Sequence, residues 1–249
     1  MNLIEALLPK TPVRIAIVGG GGKTTTLFQI GRQIEGLAWV TTTTHLGTDQ
    51  LNIADRHFLF NSPDEIDITK LKAQKLSLIT GPFTPDDRVC GPSAEVLAKV
   101  RQLADTEKVS VIVEADGARS HAVKAPAEHE PAIPIWAEVV IVVVGLSALG
   151  KPFTQEWVHR TDQFARLTGL QMNQPITAES LAAMLAHPMG GLKGIPEGAD
   201  KVVLFNQADT PEICESIQKV VPQLLAGGYD KVIIGALMKD PNGLSCANK

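Results

Sequence analysis

The chain has 249 residues, 44% hydrophobic and 20% charged, with a formal net charge of −4. That length holds one large α/β domain, read as a single domain over 1–249, or two small ones. The acidic balance leaves no basic surplus to neutralise a phosphate backbone, which argues against nucleic acid as the main partner.

In chain order, residues 1–10 lack the basic flank and long apolar core of a secretory signal and read as a short amphipathic helix ended by Pro9. Short apolar runs predict strands at 13–18, 37–42, 57–60, 76–80, 109–114, 139–144, 202–206 and 231–234. Between them, helical patterns fall at 23–35, 93–105, 155–168, 178–186 and 211–226, with Ser93 and Thr177 as caps. Several strands are continuous Val/Ile runs, the pattern of strands covered on both faces. The expected fold is therefore α/β: three layers, a mostly parallel sheet with helices on both sides. The longest apolar stretch, Val139 to Leu146, is strand-sized, so no membrane partner is expected. Cys90, Cys214 and Cys246 make neither a disulfide framework nor a metal pattern, and a reducing cytoplasm fits best. Cys90 is placed in a loop, and Gly190 to Gly198 in a loop within the domain.

The first apolar run leads into Gly19-Gly20-Gly21-Gly22-Lys23-Thr24-Thr25-Thr26. Strand, glycine loop, lysine and hydroxyl in that order make a phosphate cradle. Glycines let backbone N–H groups turn inward, and the helix opening at Lys23 aims its positive end at the anion. Lys23 is expected on the β/γ-phosphates and Thr24 on Mg²⁺. The spacing is shorter than G-x-x-x-x-G-K-[ST], because position 17 is isoleucine.

The run at 109–114 ends in Glu114-Ala115-Asp116-Gly117. Two carboxylates spaced two apart on an extended segment point the same way. One is expected to hold Mg²⁺, the other to orient water or a substrate group. A third strand ends in Asn206-Gln207-Ala208-Asp209, close to the N-K-x-D that reads guanine. There the aspartate accepts from the base, the asparagine braces neighbouring loops, and the stem of Gln207 would cover the ring. Gly235-Ala236-Leu237 would supply the last guanine loop, with a backbone N–H near Ala236. The expected ligand is thus GTP (or ATP) with Mg²⁺.

These motifs together resemble the YqeC-type proteins, accessory factors for selenium-dependent molybdenum hydroxylases. The resemblance is carried by residues 19–26, by T-T-T-T-H at 41–45 and by E-A-D-G-A-R-S-H at 114–121. It continues in K-A-P-A-E-H-E-P at 124–131, His159-Arg160, and N-Q-A-D from Asn206. It implies a cytoplasmic P-loop NTPase-like protein, with a molybdenum hydroxylase or its cofactor as partner. Three of these segments have no standard phosphate-loop role and are where a substrate-specific site is expected. Thr43, Thr44 and His45 end a strand that should neighbour the loop. Arg119, His121 and Lys124 follow the second motif, and His159-Arg160 opens the helix read at 155–168. These cations suit an anion, whether γ-phosphate, a pterin phosphate or an oxyanion. Arg119 or Arg160 would serve as an arginine finger, in cis or across a homodimer. The six histidines show no helical metal-ligand pairing.

Three functions fit these residues: an NTPase or phosphoryl-transfer enzyme, a nucleotide-gated binding protein with little turnover, and an ATP-dependent ligase. N-Q-x-D weighs against the adenine of the last.

Overall fold

The computed structural model describes residues 1–8 and 10–249. Its elements run α1 (Leu3–Leu7), β1 (Arg14–Gly19), α2 (Lys23–Gln33), β2 (Ala38–Thr42), β3 (His45–Gly47), β4 (Arg56–Leu59), α3 (Ile68–Lys72) and β5 (Leu76–Thr80). They continue with β6 (Phe83–Thr84), β7 (Arg88–Cys90), α4 (Ala94–Glu107), β8 (Ser110–Glu114), β9 (Val123–Lys124), β10 (Val139–Gly145) and β11 (Val158–His159). The last third holds α5 (Thr161–Thr168), α6 (Ala178–Ala186), β12 (Asp200–Asn206), α7 (Pro211–Gln218), α8 (Val221–Ala226), β13 (Lys231–Ala236) and β14 (Asp240–Asn248).

Nine strands form one sheet in the order β14-β13-β12-β10-β1-β8-β2-β5-β4. All neighbours are parallel except β13 and β14. Strands β1, β8 and β10 are apolar almost throughout and buried on both faces. One core packs α4, α6 and α8 on one side; Leu27 and Ile30 of α2, with Leu3 and Leu7 of α1, fill the other. Each of these buried side chains stabilises the fold by about 1.5–3 kcal/mol relative to exposure.

The topology positions the site. From β1 the chain runs outward to β2, β4 and β5, returns to β8 beside β1, and then crosses to β10, β12 and β13 on the other side. At such a reversal the loops leaving the carboxyl ends of adjacent strands part and leave a crevice. Here it lies over Gly19, Glu114 and Gly145. No helix is long and apolar enough to cross a membrane among the described residues.

Several expectations need correction. The helix read at 155–168 begins only at Thr161, because Val158 and His159 pair with Val123 and Lys124, and Arg160 is left-handed (φ 66°). The helix read at 211–226 is two, because Pro222 has no N–H to continue the ladder of α7. Cys90 lies in a short strand, its N–H bonded to the Pro82 carbonyl, rather than in a loop. The strand ending in Thr41–Thr42 is not beside β1, since β8 lies between them. Pro9, the expected end of the first helix, lies outside the described residues. The caps at Ser93 and Thr177 are present, accepting from the N–H groups of Val96 and Ser180.

Candidate functional site

The glycine loop joins β1 to α2 and is wedged on every side. Gly21 (φ 73°) lies against Gly145, and Gly22 (φ 119°) against the Asn206 amide; a Cβ on either would collide with those neighbours. Both also need the left-handed backbone that only glycine adopts cheaply. Asn206 locks this contact: Nδ2 donates to the Gly21 carbonyl at 2.9 Å, and Oδ1 accepts from the Leu237 N–H at 3.0 Å.

The amides divide into two groups, which narrows the expected cradle. Gly19 donates to Asp116 Oδ2 at 3.0 Å, Gly20 to the Val143 carbonyl and Gly21 to the His121 carbonyl. These three glycines hold the loop's shape and do not offer N–H groups to a ligand. Gly22, Lys23, Thr24 and Thr25 open α2 and line the cleft, and their N–H groups have no bonded partner among the described residues. First-turn amides of this kind, with the helix dipole behind them, favour an anion.

At the floor of the cleft, Lys23 Nζ donates to the Gly19 carbonyl at 2.9 Å and lies 3.4 Å from Asp116 and 3.7 Å from Glu114. The Thr24 hydroxyl donates to Glu114 Oε2 at 2.9 Å. Burial raises the Glu114 pKa above its ordinary value, and the Asp116 charge adds to the rise, against the pull of Lys23 and Thr24. A hydroxyl beside one carboxylate suits Mg²⁺, which takes few protein ligands and keeps waters and phosphate oxygens.

Asp116 is placed differently from Glu114. Its side chain is 4% exposed and outside the lining of this cleft; Oδ2 accepts from the Gly19 N–H and lies 2.9 Å from Lys124, and Oδ1, 3.4 Å from Lys23, accepts no hydrogen bond among the described residues. Lys124 is not a free cation. Only 1% of its side chain is exposed, and it also meets Glu130 at 2.9 Å. Arg160 reaches the same Glu130 oxygen at 2.6 Å. A chain of alternating charge therefore runs Lys23, Asp116, Lys124, Glu130, Arg160. Lys124 and Arg160 hold Glu130 well down, to about 2, against the effect of burial.

The cleft encloses about 1080 Å³. Of the expected residues it is lined by Gly21, Gly22, Lys23, Thr24, Thr25, Thr44, His45, Glu114, Arg119, His121, His159 and Arg160. Arg119 is exposed and has no bonded partner among the described residues. The rings of His121 and His159 stack at 5.4 Å, and His121 contacts the carbonyls of Ala118 and Gln155. Burial lowers the His159 pKa to about 4, helped by Arg160, Lys124, His121 and Arg119.

Other candidates lie outside the lining. Thr43 donates its N–H to the Glu114 carbonyl and buries its hydroxyl. Ala236 stays in β13 and accepts from the Lys239 N–H. Asp209 is 3.0 Å from Lys239 on the surface, and Gln207 rather than Asp209 reaches the cleft wall. Sequence reading missed Glu130, although it lies in the 124–131 motif, and the cleft-facing Arg88, Asp49 and Gln50. Those three sit on or beside a small antiparallel sheet, β3-β7-β6, that carries no apolar periodicity to announce it.

Comparison with known proteins agrees with the motif pattern. The family model described as YqeC protein matches residues 15–162. "Uncharacterized protein YqeC" of Escherichia coli (strain K12) is 30% identical over 254 residues, covering 96% of this chain and 93% of that one. No solved structure matches. With the family model spanning more than half its length, the chain belongs to the YqeC family.

Proposed function

We propose that this chain is a P-loop NTPase-like protein that binds a nucleoside triphosphate with Mg²⁺ and cleaves or transfers its γ-phosphoryl group. One observation carries the reading: Gly22 to Thr25 with their unbonded amides, Lys23, and the Thr24–Glu114 pair gather in the lining of one open cleft at the sheet's switch point. The amides would bind the β-phosphate. Lys23, released from the Gly19 carbonyl, would bridge to the γ-phosphate. Thr24 and Glu114 would hold Mg²⁺, which supplies charge neutralisation to the phosphate oxygens when bound. Arg119, unpaired on the wall, would meet charge developing on the transferred group.

Guanine is the base we favour. Asn206 performs the bracing role of an N-K-x-D asparagine, tying the glycine loop to the loop after β13. Asp209 would have to exchange Lys239 for the base edge. On the family resemblance, the cycle serves maturation of a selenium-dependent molybdenum hydroxylase, with that enzyme or its cofactor as partner. Thermal unfolding with GTP, GDP, ATP and ADP, with and without Mg²⁺, tests the reading. A ligand at a hundred times its Kd adds roughly 2.7 kcal/mol. Absence of stabilisation by any of the four would end it.

A further inference from the structure

A second cleft of about 590 Å³ adjoins the first. The two share Arg119, His121, His159 and Arg160; the second adds Arg166 and the opening of α5. Arg119 and Arg166 are exposed and make no hydrogen bond or ion pair among the described residues. Arg160 spends NH1 on Glu130 and the Ala125 carbonyl. Glu128 and Asp162 also line the cleft, so three guanidinium groups stand against two carboxylates. Arg119, Ser120 and Arg160 are all left-handed, at φ 48°, 63° and 66°. Each costs roughly 1–2 kcal/mol that glycine would not, which fits positions where the side chain matters.

We propose that this second cleft binds a phosphate group while the nucleotide occupies the glycine loop. The inference rests on the nucleotide reading of that loop and adds a second ligand to it. Guanidinium pairs match tetrahedral oxyanions through several N–H groups at once, and the uncapped first turn of α5 adds its dipole. His159, neutral at pH 7 and unbonded, leaves a ring nitrogen free to donate to the same anion. The phosphate comes either free, as the product of nucleotide cleavage, or on a phosphorylated small-molecule co-substrate.

The test is calorimetric titration of inorganic phosphate, glycerol phosphate and glycerol into protein saturated with a non-hydrolysable GTP analogue and Mg²⁺. Phosphate and its ester are expected to bind and glycerol not. Arg166→Ala should weaken that binding about tenfold or more, the loss of a charge-assisted hydrogen bond, with nucleotide affinity unchanged. A tighter ester identifies a co-substrate; equal affinities identify free phosphate. No phosphate binding to the saturated parent, or identical binding in Arg166→Ala, overturns the proposal. If the nucleotide itself does not bind, the glycine-loop reading fails separately. The second cleft is then tested by the same phosphate titration of Lys23→Ala, where residual binding that Arg166→Ala removes supports it and none overturns it.

Discussion

Lys124 holds its ammonium 2.9 Å from Asp116, with 1% and 4% of the two side chains exposed. Two charges that have left water this completely are tolerated only as a pair. Lys124→Met leaves Asp116 with the Gly19 N–H and Lys23 at 3.4 Å, and leaves Glu130 with Arg160; it should cost about 3–5 kcal/mol in urea unfolding. Lys124→Met combined with Asp116→Asn should recover part of that loss. A single variant as stable as the parent contradicts the pairing.

Asn206→Ala removes both bonds that join the glycine loop to the turn after β13. The buried Leu237 N–H loses its partner, at a cost of about 1–3 kcal/mol. Asn206→Asp should be nearly as damaging, because its carboxylate would face the Gly21 carbonyl. Equilibrium unfolding measures both, and an unchanged midpoint for each would show that the bridge carries no stability.

Glu130 has a folded pKa of about 2 against an ordinary 4.5. A depressed carboxylate contributes stability above its unfolded pKa, and that contribution fades as pH falls from 4.5 toward 2. After allowance for solvent screening it amounts to about 1–2 kcal/mol. Glu130→Gln should trail the parent by that margin at pH 6, with the gap closing near pH 2.5. A gap independent of pH refutes the ionic account.

His159 is expected to titrate near 4, where an ordinary histidine titrates at 6.5. Its neutral ring favours folding above pH 6.5, and the advantage is lost as pH falls through that window. Proton NMR of the imidazole reads the midpoint directly; a value at or above 6 removes the burial argument. An anion seated beside the ring should move the midpoint upward.

Lys23→Ala should abolish nucleotide-dependent stabilisation while leaving Arg166 and its cleft intact. Asp209→Asn should weaken GTP and shift preference toward xanthine nucleotides. Equal binding of GTP and ATP by parent and Asp209→Asn would remove guanine from the reading.

The central sheet was legible because its strands are continuous apolar runs, and the glycine loop because no other residues adopt that turn. Both signals are local. The failures are those of long-range pairing. β14 carries Asp240-Pro241-Asn242-Gly243 and no apolar run to predict a strand, yet it closes the sheet edge against β13, where a proline does little harm. Lys124 and Asp116 read as site charges, because sequence shows that two groups are charged and not that they neutralise each other. Val158-His159 looks helical by period, and only its partners at 123–124 make it a strand. Among site residues, Glu130 was hidden for the same reason: its role exists only between Lys124 and Arg160, 36 positions apart in sequence.

The close seating of Gly21 on Gly145 has a thermodynamic corollary. A loop already pinned by its neighbours surrenders little conformational freedom when an anion arrives, so little of the binding free energy goes into ordering it. Crystals grown with and without nucleotide should then superpose at residues 19–22, and whatever motion accompanies binding must come from the walls around that fixed hub.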